Sequence, residues 1–243
     1  MSKDYFIAVE KNVKIYCKVV GSGEPILLLH GHNQSGRSFK KWITFLAKQY
    51  QVIIMDSRYH GKSTKVGNIT IKQLATDVHQ VLTYFNIKKS YFIGYSDGAN
   101  ILLQLAVDYP EEIKKMVLIS PNASFDGLQR RYQRLFLLWK KILQLLNKFS
   151  KITKHQYKKV SLLTDDPNIK KEELNTISIP TLLIYSHTDI IKTKHIEYLK
   201  KNIKTSKLIL IKNSSHLSML RKFPRYKEEI IQFLTEEGIQ QKK

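Results

Sequence analysis

The chain has 243 residues, 42% of them apolar, which suits one globular domain or one domain with an insertion and excludes an intrinsically disordered protein. The formal net charge is +21, but the lysines and arginines stand mostly singly or in pairs, without the clustering or motifs of nucleic-acid-binding proteins, so no nucleic-acid partner is expected. The single cysteine, Cys17, excludes an internal disulfide, the first residues lack a secretory signal, and no apolar run reaches the roughly 20 residues of a membrane span, so we expect a cytoplasmic protein.

The predicted elements begin with an antiparallel hairpin and continue as parallel strands. "YFIAVE" and "VKIYCKVV" alternate apolar and polar residues on either side of a turn at Lys11 and Asn12. Six nearly continuous apolar runs follow, as expected for strands that are covered on both faces: "PILLLHG", "QVIIMDS", "SYFIGYS", "KKMVLISP", "PTLLIYS" and "KLILIKN". The pattern therefore predicts the α/β class, with a mostly parallel sheet of about eight strands.

Helices are predicted between these strands, and they are expected to cover both faces of the sheet. Helical periodicity is found in five segments: Phe39–Lys48, Thr70–Phe85, Gly98–Tyr109, Lys194–Asn202 and Phe223–Leu234.

A long insertion interrupts this alternation between Ser120 and Thr181, where roughly sixty residues exceed the length of an ordinary crossover. We assign residues 1–121 and 179–243 to the α/β core and residues 122–178 to a helical insertion. Apolar residues recur there at spacings of four and three, at Leu128, Tyr132, Leu135, Trp139, Ile142, Leu146 and Phe149. This stripe predicts one long amphipathic helix that packs on the parent domain, the alternative being a dimer seam. The chain is expected to be a monomer or a homodimer, a choice that the sequence leaves open.

The segment Gly94-Tyr95-Ser96-Asp97-Gly98 stands where a predicted strand ends and a predicted helix begins. A serine on such a tight turn exposes its hydroxyl, and small residues two positions away on either side let the strand and the helix approach each other closely. Ser96 is therefore a candidate nucleophile. The alternative is an ordinary turn in which Ser96 or Asp97 caps the helix.

A serine nucleophile needs a base, and the base needs a carboxylate that orients it. His216 follows the last apolar strand, and Asp189 follows the strand before it. Because the carboxyl ends of parallel strands meet at one edge of the sheet, Ser96, Asp189 and His216 are expected to converge there.

With these residues, the chain resembles the α/β-hydrolase fold superfamily over nearly all of its length apart from the insertion. "VVGSGEPILLLHGHNQSG", "MDSRYHGKS", "YPEEIKKMVLISP" and "ISIPTLLIYSHTD" are similar to segments of that family. The resemblance implies that Ser96 is the nucleophile, Asp189 the acid and His216 the base. It also implies that the backbone N–H groups of His32 and Asp97 form the oxyanion hole, that Gly94 and Gly98 frame the nucleophile elbow, and that residues 122–178 form a lid.

Within the family, "GYSDGAN" is most similar to small-ester hydrolases of the valacyclovir-hydrolase and lactone-hydrolase kind. Tyr59, Ser186 and Ser215 stand where the family often has glycine, and we expect these departures to affect loops around the site and not the triad. Asp126 is an alternative acid, but it is interpreted as a residue at the start of the long helix.

No metal or cofactor is expected from the remaining motifs. "HGKST" ends like a phosphate-binding loop, but Asp56 stands where that motif requires its first glycine. His30 and His32 lack a neighbouring carboxylate or cysteine, which favours a structural role beside the oxyanion loop over metal binding. His187 and His195 are expected to be surface or loop residues.

The favoured hypothesis is a serine hydrolase that acts on a small-to-medium carboxylic ester as its small-molecule substrate. Hydrolysis of an amide, a thioester or a carbon–carbon bond on the same triad is the alternative enzyme function, and a non-catalytic binding protein is the alternative outside enzymes. The long helix begins with Arg130, Arg131 and Arg134. They are interpreted as solvated surface, with recognition of an anionic group as the alternative.

Overall fold

The computed structural model describes residues 2–236, and its eight strands form a single sheet. The strands run in the order β1-β2-β4-β3-β5-β6-β7-β8. Their bounds are Ser2–Glu10, Val13–Val20, Glu24–Leu29, Tyr50–Asp56, Ser90–Tyr95, Ile113–Ile119, Thr181–Thr188 and Ser206–Ser215, for β1 to β8. β2 pairs antiparallel with β1 and with β4, and the remaining pairs are parallel. The predicted eight-stranded sheet with its N-terminal hairpin is confirmed, while residue 1 and residues 237–243 of the predicted core lie outside the described residues.

Eight α-helices accompany the strands within residues 2–236. Their bounds are Lys40–Leu46, Ile71–Tyr84, Asp97–Asp108, Arg130–Leu146, Lys151–Asp165, Lys171–Thr176, Thr193–Asn202 and Lys227–Thr235, for α1 to α8. Residues of α2, α3 and α7 form one apolar core with the sheet, and residues of α1 and α8 form a second core on the opposite face. The central strands are buried on both faces, which is why they appear as continuous apolar runs in the sequence. Within the described part of the chain, no helix has both the length and the apolarity to cross a membrane.

The last predicted helix is shorter than expected. A 3₁₀ helix occupies Leu220–Arg225, and α8 begins only at Lys227. Pro224 accounts for the difference, because a proline has no N–H to donate and disfavours helical backbone at the residue before it.

The insertion contains α4, α5 and α6, and the predicted amphipathic helix is present as α4. The expectation that this helix packs on the parent domain holds for only part of its apolar stripe. Leu128 and Leu143 are buried, but Leu135, Ile142, Leu146 and Phe149 are 43–82% exposed. α5 packs against α4 from one side. α5, together with the loop after β3, whose His32 contacts Trp139, covers only part of the helix surface and leaves the other apolar side chains in solvent.

The topology places two loops side by side at the edge of the sheet. β3 lies between β4 and β5, so the chain leaves β3 towards one side of the sheet and later returns on the other. At such a reversal of strand order, the loops that follow the two central strands diverge and leave a crevice between them. The loop after β3 and the turn after β5 border this crevice.

Candidate active site

Ser96 occupies a strained turn between β5 and α3. Its backbone has φ 53° and ψ −118°, a left-handed conformation that costs a residue with a side chain about 1–3 kcal/mol. The turn is held by hydrogen bonds that Ser96 N–H donates to Ile119 O (2.8 Å) and that Ala99 N–H donates to Ser96 O (2.8 Å). The side chain remains partly exposed and borders a cavity.

Gly94 and Gly98 are needed for this turn because strand and helix nearly touch there. A Cβ on Gly94 would lie 2.5 Å from the carbonyl oxygen of Gly98, and a Cβ on Gly98 would collide with the backbone of Leu29 and lie 2.8 Å from the carbonyl oxygen of His30. Real Cβ atoms do not approach backbone atoms so closely. The two glycines therefore permit the contact that projects Ser96 into the crevice.

Ser96, His216 and Asp189 are brought together as one chain of hydrogen bonds. The Ser96 hydroxyl lies 3.2 Å from His216 Nε2, and His216 Nδ1 lies 2.8 Å from Asp189 Oδ1. An ionised carboxylate can only accept, so His216 carries its proton on Nδ1 and presents a lone pair on Nε2 to the hydroxyl. Such an arrangement can remove the Ser96 proton as its oxygen attacks an electrophile.

Asp189 is buried, 3% exposed, and its carboxylate accepts several hydrogen bonds. Oδ2 accepts from Ser120 Oγ (2.6 Å), Ser186 N (3.1 Å) and Ser186 Oγ (3.1 Å). Burial would raise the pKa of Asp189, but hydrogen bonding and charge attraction from His216, with further hydrogen bonds from Ser120 and Ser186, outweigh it and hold the pKa below its ordinary value. The carboxylate is thus kept ionised beside the imidazole.

The expectation that none of the three departures from the family pattern touches this group of residues is wrong for Ser186, whose hydroxyl contacts the Asp189 carboxylate. Tyr59 is buried, has φ 67°, and donates from its hydroxyl to Gly67 O at 3.0 Å. Ser215 lines the cavity. Only one of the three departures therefore reaches the hydrogen-bonded chain.

Asp126, the alternative acid, lies apart from His216. It is exposed, sits in a 3₁₀ turn at Phe125–Gly127, and its backbone carbonyl accepts from Lys192 Nζ at 2.7 Å. The helix that it was expected to start begins four residues later, at Arg130. The geometry therefore favours Asp189 as the partner of His216.

The loop after β3 packs directly on the serine turn. A Cβ on Gly31 would lie 2.9 Å from Tyr95 Cδ1 and 3.1 Å from the Ser96 Cβ, so glycine favours the close approach of this loop. His32 and Asp97 both line the cavity. Asp97 is the first residue of α3, so the helix offers its N–H no acceptor, and within residues 2–236 the N–H of His32 is found in no hydrogen bond. Both amides are thus available to a ligand beside Ser96.

Two buried histidines fix the shape of that loop. His30 Nδ1 lies 2.8 Å from Gly31 O, and its Nε2 accepts from Ser57 N–H at 3.0 Å. His60 Nε2 accepts from Asn33 N–H at 3.3 Å. Burial lowers the pKa of both histidines, so they are neutral and can accept these bonds. The structural role expected for His30 agrees with this geometry, whereas the partner of His60 could not be identified from its sequence neighbours.

The side chain of His32 also takes part in the site. Its Nδ1 lies 3.2 Å from Asp97 Oδ2, and its ring packs edge-on against Trp139 of α4, with 5.9 Å between ring centroids. The inserted segment is thereby in direct contact with the loop beside Ser96.

The cavity has a volume of about 360 Å³ and extends from Ser96 to the inserted segment. Its walls are largely apolar, and α4 and α5 contribute Tyr132, Leu135, Phe136 and Leu163. The three arginines at the start of α4 are exposed and do not line it. The cavity therefore suits an uncharged, mainly apolar group.

Other histidines have structural contacts. Among residues 2–236, no group of three or more histidine, cysteine, aspartate or glutamate side chains is arranged to hold a metal. The expectation that His195 is a surface or loop residue is wrong, because it belongs to α7 and its Nε2 accepts from Ala123 N–H at 3.0 Å. Burial lowers the pKa of His195 to about 4. It anchors the start of the inserted segment to the core.

The sequence of this chain is similar to those of known proteins over about half of its length. The family described as alpha/beta hydrolase fold matches residues 24–144, which include the loop after β3 and the Ser96 turn. The magnesium-chelatase 30 kDa subunit of Rhodobacter capsulatus is 40% identical over 109 residues, or 44% of this chain and 37% of that protein. Fluoroacetate dehalogenase from Burkholderia sp. is 27% identical over 137 residues, or 53% of this chain and 45% of that protein. The matched region thus spans less than half the length of either relative.

The likeness to solved structures extends over the whole fold. An alpha/beta hydrolase enzyme from a Medee basin deep-sea metagenome library superposes with a TM-score of 0.84 at 19% identity, covering 98% of this chain and 100% of that one. At this identity the likeness concerns the fold. It includes β7 and β8, which position Asp189 and His216 and lie outside the region matched by the family.

Proposed function

Because the chain belongs to the α/β-hydrolase fold superfamily, we propose that it is a serine hydrolase that cleaves small-to-medium carboxylic esters. The observation that carries the proposal is the hydrogen-bonded chain from Ser96 through His216 to Asp189 at the wall of an apolar cavity. A structural serine has no need of a base that is itself oriented by a buried carboxylate.

In the proposed reaction, His216 Nε2 takes the Ser96 proton as Oγ attacks the ester carbonyl carbon. The backbone N–H groups of His32 and Asp97 donate to the oxyanion of the tetrahedral intermediate. The imidazolium, stabilised by Asp189, then gives its proton to the leaving alkoxide. Water, deprotonated by His216, attacks the acyl-enzyme, releases the carboxylic acid and restores Ser96.

The size of the cavity supports a substrate of modest length. Its volume of about 360 Å³ lies near the lower end of the roughly 300–1,000 Å³ that ligand cavities span. We assign residues 122–178 the role of a lid, because α4 and α5 of this segment form one wall of the cavity. Acyl-chain selection would then lie in side chains such as Phe136 that face the cavity from the lid.

A fluorophosphonate probe tests the nucleophile directly, since it reacts with activated serines. Wild type should be labelled and Ser96→Ala should not. Ser215→Ala is the matched control, because Ser215 lines the same cavity without a hydrogen bond to His216. If wild type stays unlabelled, the chain is a binding protein and not a serine hydrolase. Equal labelling of Ser96→Ala would place the nucleophile elsewhere.

A panel of p-nitrophenyl esters tests the substrate class. We expect kcat/KM for the butyrate to exceed that for the palmitate by at least about tenfold, because the longer chain cannot be enclosed. A p-nitroanilide and a thioester of the same acyl length separate ester hydrolysis from the other acyl transfers. Faster turnover of either would replace the ester assignment while keeping the triad.

Phe136→Ala tests the lid. Phe136 lines the cavity, whereas the neighbouring Leu137 is 50% exposed and does not. Phe136→Ala should shift the preference towards longer esters, and Leu137→Ala should leave it unchanged. An identical chain-length profile for both variants would exclude α4 from substrate selection.

A further inference from the structure

Helix α4 exposes an unusual number of large aliphatic side chains. Leu135, Leu138, Ile142, Leu145 and Leu146 are each 43–68% exposed. At the helical repeat these five residues, here called the apolar arc, fall within roughly 100° of the helix circumference. Phe149 and Ile152, which are 82% and 73% exposed, extend the same kind of surface around the turn between α4 and α5. A continuous exposed apolar surface of this kind marks an interaction site.

The residues around the apolar arc are predominantly basic in sequence, and Asp165, which ends α5, is paired with Lys140. Residues 127–164 contain ten lysines and arginines and no aspartate or glutamate. Arg130, Arg134 and Lys141 are exposed on α4 next to the arc, and Lys148 and Lys151 are exposed at the turn. The net charge of the protein is therefore concentrated in part around its most apolar exposed surface.

We propose that the apolar arc and its basic border dock on the surface of an anionic lipid bilayer. A helix that lies in the plane of a membrane inserts an apolar face among the acyl chains while lysines and arginines beside it contact the headgroups. Each basic residue near an anionic membrane surface strengthens binding several-fold. α4 has both features, on a face that the rest of the protein leaves uncovered.

The charge pattern argues against a second copy of this chain as the occupant. Two copies that met through the apolar arc would bring two strongly basic segments together, and Asp165, the carboxylate at the end of α5, is already paired with Lys140 of its own copy. Nucleic acid fits less well, because its bases stack on aromatic side chains and the arc is aliphatic. An anionic bilayer satisfies both the charge and the apolar surface.

The entrance of the cavity adjoins this surface. Leu135 belongs to the apolar arc and also lines the cavity, and Leu217, which lines the cavity as well, is 77% exposed. If the proposed hydrolysis holds, an amphiphilic ester could pass from the membrane surface into the cavity. Docking itself rests only on the exposed side chains and their charges, so it can fail or succeed independently of the proposed function.

Vesicle flotation of the full chain tests the docking. Vesicles of phosphatidylcholine with about 30% phosphatidylglycerol are compared with vesicles of phosphatidylcholine alone at a fixed salt concentration. We expect binding to the anionic vesicles to be at least about tenfold tighter. Leu138→Gln/Leu145→Gln should weaken that binding by at least about tenfold. Phe6→Gln, which removes an equally exposed apolar side chain from β1, should leave it unchanged.

A second set of variants separates local charge from total charge. Removing three exposed basic residues near the apolar arc should weaken binding by up to about a hundredfold, through Arg134→Gln, Lys141→Gln and Lys148→Gln combined. Removing three exposed lysines outside the inserted segment should change it less than about threefold, through Lys194→Gln, Lys201→Gln and Lys204→Gln combined. These six positions are exposed, so the charge test remains available if the leucine variant folds poorly.

Four results would overturn the proposal: no flotation of the wild type, equal binding to both kinds of vesicle, equal losses for the two charge variants, or no loss for the leucine variant. A dimer in light scattering that Leu138→Gln/Leu145→Gln dissociates, without vesicle binding, would instead assign the surface to a second copy.

Discussion

Asp189→Asn is the substitution for which the structure predicts the most specific result. The two carboxylate oxygens of Asp189 have different neighbours. Oδ2 accepts from Ser120 Oγ, Ser186 N and Ser186 Oγ, whereas Oδ1 faces His216 Nδ1 at 2.8 Å and accepts a longer bond from Ile191 N at 3.4 Å. In the asparagine variant we expect the carbonyl oxygen to take the first position, because Ser186 N–H can only donate there at 3.1 Å, whereas the N–H donor at the other position, Ile191, is at 3.4 Å. The NH₂ group then faces His216.

That orientation reverses the tautomer of the imidazole. An NH₂ group donates to Nδ1, so the proton of His216 moves to Nε2, and no lone pair remains to accept the proton of Ser96. In serine hydrolases the corresponding change lowers kcat about 10⁴-fold, which corresponds to about 5 kcal/mol of transition-state stabilisation. The free energy of unfolding should change by no more than about 1 kcal/mol, because the hydrogen bonds to Ser120 and Ser186 persist.

The assay is kcat/KM with p-nitrophenyl butyrate, combined with the melting temperature of the same preparations. Asp126→Asn is the matched control, since Asp126 is an exposed aspartate with no contact to His216, and its activity should stay within about twofold of wild type. A loss smaller than tenfold in Asp189→Asn would refute the tautomer argument. A large loss in Asp126→Asn would transfer the role of the acid to Asp126.

Three further predictions concern the framework of the site. Gly98→Ala places a Cβ against the backbone at the end of β3, so we expect the fold to be destabilised by about 1–3 kcal/mol and fluorophosphonate labelling to be weak. An unchanged melting temperature would refute the close packing. Arg58 and Asp77 form a buried ion pair with two hydrogen bonds, of 2.9 and 2.6 Å. Arg58→Ala should therefore lower the free energy of unfolding in urea by about 3–5 kcal/mol. Lys207→Gln, which removes one member of an exposed ion pair, should lower it by less than about 1 kcal/mol. Burial lowers the pKa of His195 to about 4, so the neutral imidazole stabilises the fold above pH 6.5, and this contribution is lost as the pH falls towards 4. Between pH 7 and pH 5 the free energy of unfolding of wild type should therefore fall by about 2 kcal/mol more than that of His195→Gln. Parallel pH profiles of the two proteins would exclude this linkage.

The local elements of this fold could be predicted because local patterns determine them. The hairpin turn at Asn12, with φ 66°, and the continuous apolar runs of β3 to β8 need only their neighbours along the chain to be recognised. The Ser96 turn is also a local feature, because glycines two residues away on each side are required wherever a strand and a helix come this close. The approximate positions of Asp189 and His216 follow from the rule that parallel strands end at a common edge.

The environment of these residues could not be predicted, since it depends on contacts between distant parts of the chain. Ser120 follows β6 and Asp189 follows β7, and only the pairing of these two strands brings the Ser120 hydroxyl to the Asp189 carboxylate. His60 accepts a hydrogen bond from Asn33 N–H at the edge of the sheet, and no spacing in the sequence predicts that contact.

The sequence thus determined the order of the elements, the serine turn and the identities of the residues that could carry the chemistry. Tertiary structure alone decided which apolar residues of α4 are covered. A helical periodicity shows that a helix has an apolar face, but burial depends on the surface that another element offers to it. α5 covers only a narrow part of the surface of α4. The same periodic pattern therefore contributes to the cavity wall on one side of α4 and to the exposed apolar arc on the other.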